Sequence, residues 1–167
     1  MSEDKTIEIL KSAILLEKRG QAFYSKIAQQ TSGKAVKAFF ELMADEEVKH
    51  VEILTEQFKA YRQNKKFIPG DYQEDHSNSI SSKVLTKELK AEISAADYEA
   101  AAISAAIAME KNAIQLYSDR ASDATDPNEK ALYKWLAEWE HQHLNFLAEI
   151  DKELTEKIWY DNNFWPF

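Results

Sequence analysis

Four glutamates and two histidines hold places that a long helix normally gives to leucine. Glu17, Glu47, Glu110 and Glu140 each fall on the apolar face of a helical period, and His50 and His143 follow Glu47 and Glu140 by three residues. On a helix that offset puts both side chains on one face, about one turn apart. A single Glu-x-x-His is a weak signal, because acidic helices produce it by chance. Two such pairs in matching contexts, with two lone glutamates at matching positions, form a strong one. A buried unpaired carboxylate is costly, and four together repel one another or take up protons. No lysine or arginine interrupts these faces to offset them. Two divalent cations would set four positive charges against the four negative ones. Carboxylate oxygen with imidazole nitrogen suits iron(II) or manganese(II), and zinc also binds such a set, so supply and geometry decide the native metal.

Taken singly, Glu17 or Glu110 also reads as a surface glutamate on a slightly rotated helix, and His50 or His143 as a satisfied core histidine. Their common register argues for a site. Gly20, one turn past Glu17, either leaves room for oxygen or peroxide beside the metals or lets two helices pack closely. Tyr24 and Tyr117 either hydrogen-bond ligands or pass electrons, or are ordinary core tyrosines. Met43 and Met109 are expected to fill core, and His141 and His76 to be solvated.

Four helices are expected to carry these residues, over about 4–30, 34–62, 94–121 and 127–153. Their seams advance in steps of three and four. The first reads Ile7, Leu10, Ile14, Glu17, Gln21, Tyr24, Ala28, and the second Val36, Phe40, Met43, Glu47, His50, Leu54. The third reads Ile103, Ile107, Glu110, Ile114, Tyr117, and the fourth Leu136, Glu140, His143, Leu147, Ile150, Leu154. Such seams belong to long helices packed side by side. Thr31-Ser32-Gly33 closes a first hairpin. Asp126-Pro127-Asn128-Glu129 opens the fourth helix with a capping aspartate, a proline at the first helical position and an acid three residues after the cap. Residues 65–83 read as an irregular crossover, with a turn at Pro69-Gly70 and a polar stretch over 75–82. A long link of this kind lets the third helix start at the same end as the second. The two hairpins repeat one unit: Glu17-Lys18 with Tyr24 is matched by Glu110-Lys111 with Tyr117, and Glu47 with His50 by Glu140 with His143. Trp159, Tyr160, Phe164, Trp165 and Phe167 form an aromatic tail expected to cap the bundle or to make a subunit contact.

The 167 residues suit one domain, and 44% hydrophobic with 30% charged residues is an ordinary globular balance. There are no cysteines, which excludes disulfides, thiolate zinc sites and iron–sulfur clusters held by this chain and fits a reducing cytoplasm. A formal charge of −8 disfavours nucleic acid and favours cations. The start shows no apolar segment followed by a small-residue cleavage site, so no signal peptide is expected. No apolar run approaches the ~20 residues needed to span a bilayer.

The segments Leu16-Glu17-Lys18-Arg19-Gly20-Gln21-Ala22-Phe23-Tyr24, Glu46-Glu47-Val48-Lys49-His50, Met109-Glu110-Lys111 and Glu140-His141-Gln142-His143 resemble the ferritin-like di-iron carboxylate proteins, and within them the di-iron domain of the rubrerythrin family. The resemblance covers nearly the whole chain. It implies an all-α antiparallel four-helix bundle holding two iron ions, with manganese or zinc as substitutes. Glu17 and Glu110 would be mainly terminal ligands, Glu47 and Glu140 would bridge, and His50 and His143 would each complete one iron. Two departures stand out. Rubrerythrins proper carry a further glutamate where this chain has Ala113, so the ligand set resembles that of bacterioferritin. They also usually carry a cysteine-held iron domain, which no residue here can form, so electrons would come from a separate donor. The implied activity is reduction of peroxide or dioxygen as iron(II) is oxidised, in oxidative-stress or iron metabolism, by a homodimer or small homo-oligomer. A ferroxidase of the iron-storage type, an oxygenase with an apolar tunnel to the metals, and a metal-free interaction bundle are the alternatives.

Overall fold

The computed structural model describes residues 3–72, 87–93 and 98–161. They form five helices and no strand: α1 (Glu3–Gln30), α2 (Lys34–Asn64), α3 (Lys87–Glu92), α4 (Tyr98–Asp123) and α5 (Pro127–Asp161). α1 packs along α2, and α4 along α5, as their short links require. The fold is the all-α bundle of long helices packed side by side that the seams implied.

Two features depart from the sequence reading. α5 continues through Trp159 and Tyr160 to Asp161, well past 153, so the start of the expected tail is an exposed helical end. α3 lies between the crossover and α4, where no helix was expected. α4 starts at Tyr98 among the described residues, with 94–97 outside them. His76, the polar stretch over 75–82, and Phe164, Trp165 and Phe167 also lie outside the described residues.

The ends of the helices are fixed by identifiable groups. Gly33 offers α2 no side-chain cap, and Glu92 of α3 supplies one: a single carboxylate oxygen accepts from the backbone N–H of Ala35 at 2.9 Å and of Val36 at 3.0 Å. Leu89 and Ile93 are fully buried beneath that cap, and Lys90 pairs with Glu153 of α5. Lys65 ends α2 in the left-handed region at φ 58°. Gln57 then holds the outgoing chain, donating to the carbonyl of Ile68 at 2.9 Å and accepting from its N–H at 3.0 Å. Asp126 caps α5 as expected, accepting from Asn128 N–H at 2.8 Å. Glu129, however, is turned to Arg120, whose Nη2 donates to it at 2.8 Å. Arg120 is 5% exposed. A cation therefore does lie on the α4 seam, contrary to the sequence reading, but it answers Glu129 rather than the four central acids.

The core falls into two apolar clusters separated along the bundle. One gathers Tyr24, Phe39, Phe40, Met43, Ile103 and Leu147 with α3, and the other Leu10, Leu54, Phe67, Tyr117, Tyr133 and Leu136. The hairpin repeat has a constant spacing, since Glu17, Tyr24, Glu47 and His50 each have their counterpart 93 positions later in the second hairpin. The packing obeys it: Tyr24 stacks on Phe40 at 6.1 Å, and their counterparts Tyr117 and Tyr133 stack at 6.0 Å.

Candidate metal centre

Between the two apolar clusters the helices turn six polar side chains inward. Glu17, Glu47, His50, Glu110, Glu140 and His143 are each at most 3% exposed. α1 contributes Glu17, α2 Glu47 and His50, α4 Glu110, and α5 Glu140 and His143. Their donor atoms form two groups, Glu17 with Glu47, His50 and Glu140, and Glu110 with Glu47, Glu140 and His143. Within each group the atoms lie no more than 4.8 Å apart. Glu47 and Glu140 belong to both.

The close contacts inside the cluster outnumber the protons available to bridge them. His50 Nδ1 faces Glu140 at 2.9 Å, Glu17 at 3.2 Å and Glu47 at 3.2 Å, although one ring nitrogen carries at most one proton. His143 Nδ1 faces Glu140 at 3.0 Å, Glu110 at 3.6 Å and Glu47 at 3.8 Å. His143 Nδ1 and both Glu140 oxygens are buried with no hydrogen-bond partner among the described residues. Oxygens and nitrogen lone pairs aimed at a common point fit a cation there. Bonds of about 2.0–2.2 Å, as zinc makes to such donors, allow opposite ligand atoms roughly 4.2 Å apart. Closing from 4.8 Å takes small side-chain shifts. The residues present fit two divalent ions.

Electrostatics of the metal-free cluster point the same way. Burial, then the charge of Glu140, raises the pKa of Glu110 to about 8 and pushes Glu47 well up. Burial alone would lower both histidines, but the charge of Glu140 and the neighbouring carboxylates carry them well above the usual imidazole range. Glu140 is held well below the carboxylate range despite its burial, by the two imidazoles. Without metal, the cluster is a store of protons.

The tyrosines of the repeat cross between its halves. Tyr24 donates to Glu110, and Tyr117 donates to Glu17. Burial and the adjacent carboxylates raise both phenols, which stay protonated donors. Gly20 sits where α1 runs close to Glu47: a Cβ there would lie 3.3 Å from Glu47 Oε1. A cavity of about 550 Å³ opens between α1 and α4. Leu15, Leu16, Phe23, Met109 and Leu116 wall it, and Glu17, Glu47, Glu110 and Glu140 form its floor. The two imidazoles lie on the other side, stacked 6.1 Å apart. Met109 is thus half-buried in this wall instead of filling core, whereas Met43 is core. His141 is exposed.

Sequence reasoning passed over Glu46. It is 1% exposed and accepts from His143 Nε2 at 2.5 Å and from Trp139 Nε1 at 3.1 Å. The signal was available: Met43, Glu46, Glu47 and His50 are spaced three, one and three apart, which places Glu46 on the inward face.

Four long helices in two hairpins, with carboxylates and Glu-x-x-His pairs converging at mid-height, define the ferritin-like carboxylate class. Residues 8–151 match the family model described as Rubrerythrin. The chain belongs to the rubrerythrin family, a ferritin-like di-iron carboxylate family whose members are generally oxidoreductases or iron-related proteins. Neither a curated protein nor a solved structure matches it significantly. No helix among the described residues is long and apolar enough to cross a membrane.

Proposed function

We propose that this chain holds two iron ions and reduces peroxide or dioxygen with electrons passed on from a separate donor. Glu17 and His50 would hold one ion, Glu110 and His143 the other, and Glu47 and Glu140 both. The observation that carries the reading is the pair of four-residue clusters sharing Glu47 and Glu140 at the floor of a cavity. When bound, two iron(II) ions would supply the two electrons that, with two protons, reduce peroxide to two waters, or that take dioxygen to the peroxide level, the separate donor supplying the rest. The chain's own contribution is positional. Tyr24 and Tyr117 fix the carboxylates of Glu110 and Glu17, the close approach of Gly20 limits where Glu47 can swing, and the apolar wall keeps competing water away from the open side. The 167 residues include no cysteine, and in this reading a separate donor supplies the electrons.

The test is anaerobic loading with two iron(II) per chain, followed by peroxide. The expected result is rapid oxidation, followed by absorbance, that is lost in Glu47→Ala. Slow oxidation indistinguishable from that variant removes the proposal. A second reading, oxygenation of an organic substrate, is favoured by the size of the cavity. Its volume is many times the ~30 Å³ of a water molecule, more than peroxide or dioxygen needs. Iron oxidation by dioxygen that accelerates with a small apolar substrate, and yields its oxygenated product, selects that reading. A solution mass of cage size would select iron storage.

A further inference from the structure

The 93-residue repeat is obeyed by every one of the six central side chains, and it is broken beside them. The residue preceding the shared glutamate is Glu46 in α2 and Trp139 in α5. Each reaches across to the histidine of the other hairpin. On one side the Glu46 carboxylate accepts the Nε2–H of His143 at 2.5 Å. On the other side His50 packs edge-to-face with two indoles: its ring lies 5.8 Å from Trp139 at 88° and 5.7 Å from Trp135 at 79°. His50 Nε2 is buried with no hydrogen-bond partner among the described residues. Trp139 also donates its own Nε1–H to Glu46 at 3.1 Å, clamping that carboxylate from a second direction.

We infer that Glu46 is a positioning residue that makes the two metal positions unequal, the one containing His143 and Glu110 being the tighter. The inference rests on the reading of the six central side chains as metal ligands. The physical cause is local. With Nε2–H committed to Glu46, the His143 ring is held in one orientation, and the Nδ1 that would lose its proton to a cation already points into the cluster. A carboxylate behind a ligating imidazole also makes it a stronger donor and adds negative charge near the cation. On the side away from the cluster His50 has ring packing alone to orient it, its Nε2 having no hydrogen-bond partner among the described residues. The ligand carboxylates and the tyrosine donors are paired one for one across the repeat, so they do not account for the difference.

Cobalt(II) is a suitable probe, because its visible absorption reports the coordination of each ion separately from any turnover. Metal-free protein titrated with cobalt(II) by calorimetry and absorption should bind two ions in two resolved steps. Glu17→Ala should keep the tighter step and Glu110→Ala should lose it. Glu46→Ala should weaken the tighter step by about 10–100-fold, in line with the loss of other outer carboxylate partners, and leave the weaker step in place. Glu46→Gln, of the same size, keeps the bundle packed while removing the charge, and should fall between wild type and Glu46→Ala. Trp139→Phe leaves the bond to His143 and should weaken the tighter step less than Glu46→Ala does. Two equal steps in wild type overturn the inference, as does a Glu46→Gln protein with both steps unchanged or both weakened alike; the metal reading survives each of these results. A wild-type protein that binds no cobalt(II) removes the metal reading itself.

Discussion

When metal-free protein is titrated with manganese(II) at successive values from about pH 9 to about pH 6, each step downward should weaken binding, because the ligands must lose protons to bind. The size follows from the cluster. Glu110 rises from an ordinary 4.5 to about 8, so each unit below that value costs about tenfold through this carboxylate alone. At pH 6 that is about a hundredfold. Glu47, His50 and His143 are raised as well and act in the same direction, so the slope should exceed one decade per pH unit. Glu140 is held low and titrates below this window. The same shifts give the empty bundle the opposite trend. A raised folded-state pKa contributes stability that is complete below the unfolded value and lost as pH rises through the folded one. For Glu110 the loss spans 4.5 to about 8 and amounts to something on the order of 5 kcal/mol. The metal-free protein should therefore melt at lower temperature as pH approaches 8, while the loaded protein gains stability. Calorimetry in buffers of different ionisation enthalpy counts the protons released, and thermal melts follow stability. Affinity that is flat across the range with no proton release, or a metal-free protein that melts higher as pH rises, refutes the reasoning.

Tyr24→Phe and Tyr117→Phe each remove a hydrogen bond to a buried carboxylate, so each should destabilise the loaded protein by about 1.5–3 kcal/mol in urea unfolding, and by similar amounts because the repeat makes them equivalent. Arg120→Ala leaves Glu129 buried without its partner and should cost about 3–5 kcal/mol, with Glu129→Gln recovering part of it in the double variant. Asp126→Ala removes the cap of α5 and should cost ~1 kcal/mol by the same assay, with metal binding unchanged because the cap lies at the far end of that helix.

What the sequence disclosed depended on contrast. Glutamate at a leucine position stands out, and so Glu17, Glu47, Glu110 and Glu140 were legible together with the four long helices carrying them. Glu46 was not, because it sits in the run Asp45-Glu46-Glu47, where one more acid carries no contrast and only the helical angle separates a solvated carboxylate from a buried one. Arg120 was hidden for a similar reason: near a helix end arginine is ordinary, and its burial follows from Glu129, which is distant on the seam but adjacent in space. The extent of α5 was misjudged because Ile158, Trp159 and Tyr160 are exposed and give no inward face to follow. α3 has six residues, too few to display a period; its place is set by Glu92 meeting the start of α2, a contact between residues 56 and 57 positions apart.

The division of the core into two greasy ends around an ionic waist has a consequence for motion. An ordinary bundle frays from its termini and is most rigid at mid-length. Here both ends are packed with aromatic and aliphatic side chains, while the middle is filled with acids that attract water once cations are removed. Stripped of metal, the molecule should breathe at its centre: amide deuteration should run faster around Glu47 and Glu140 than around Phe40 or Leu136, and reloading should silence the centre first.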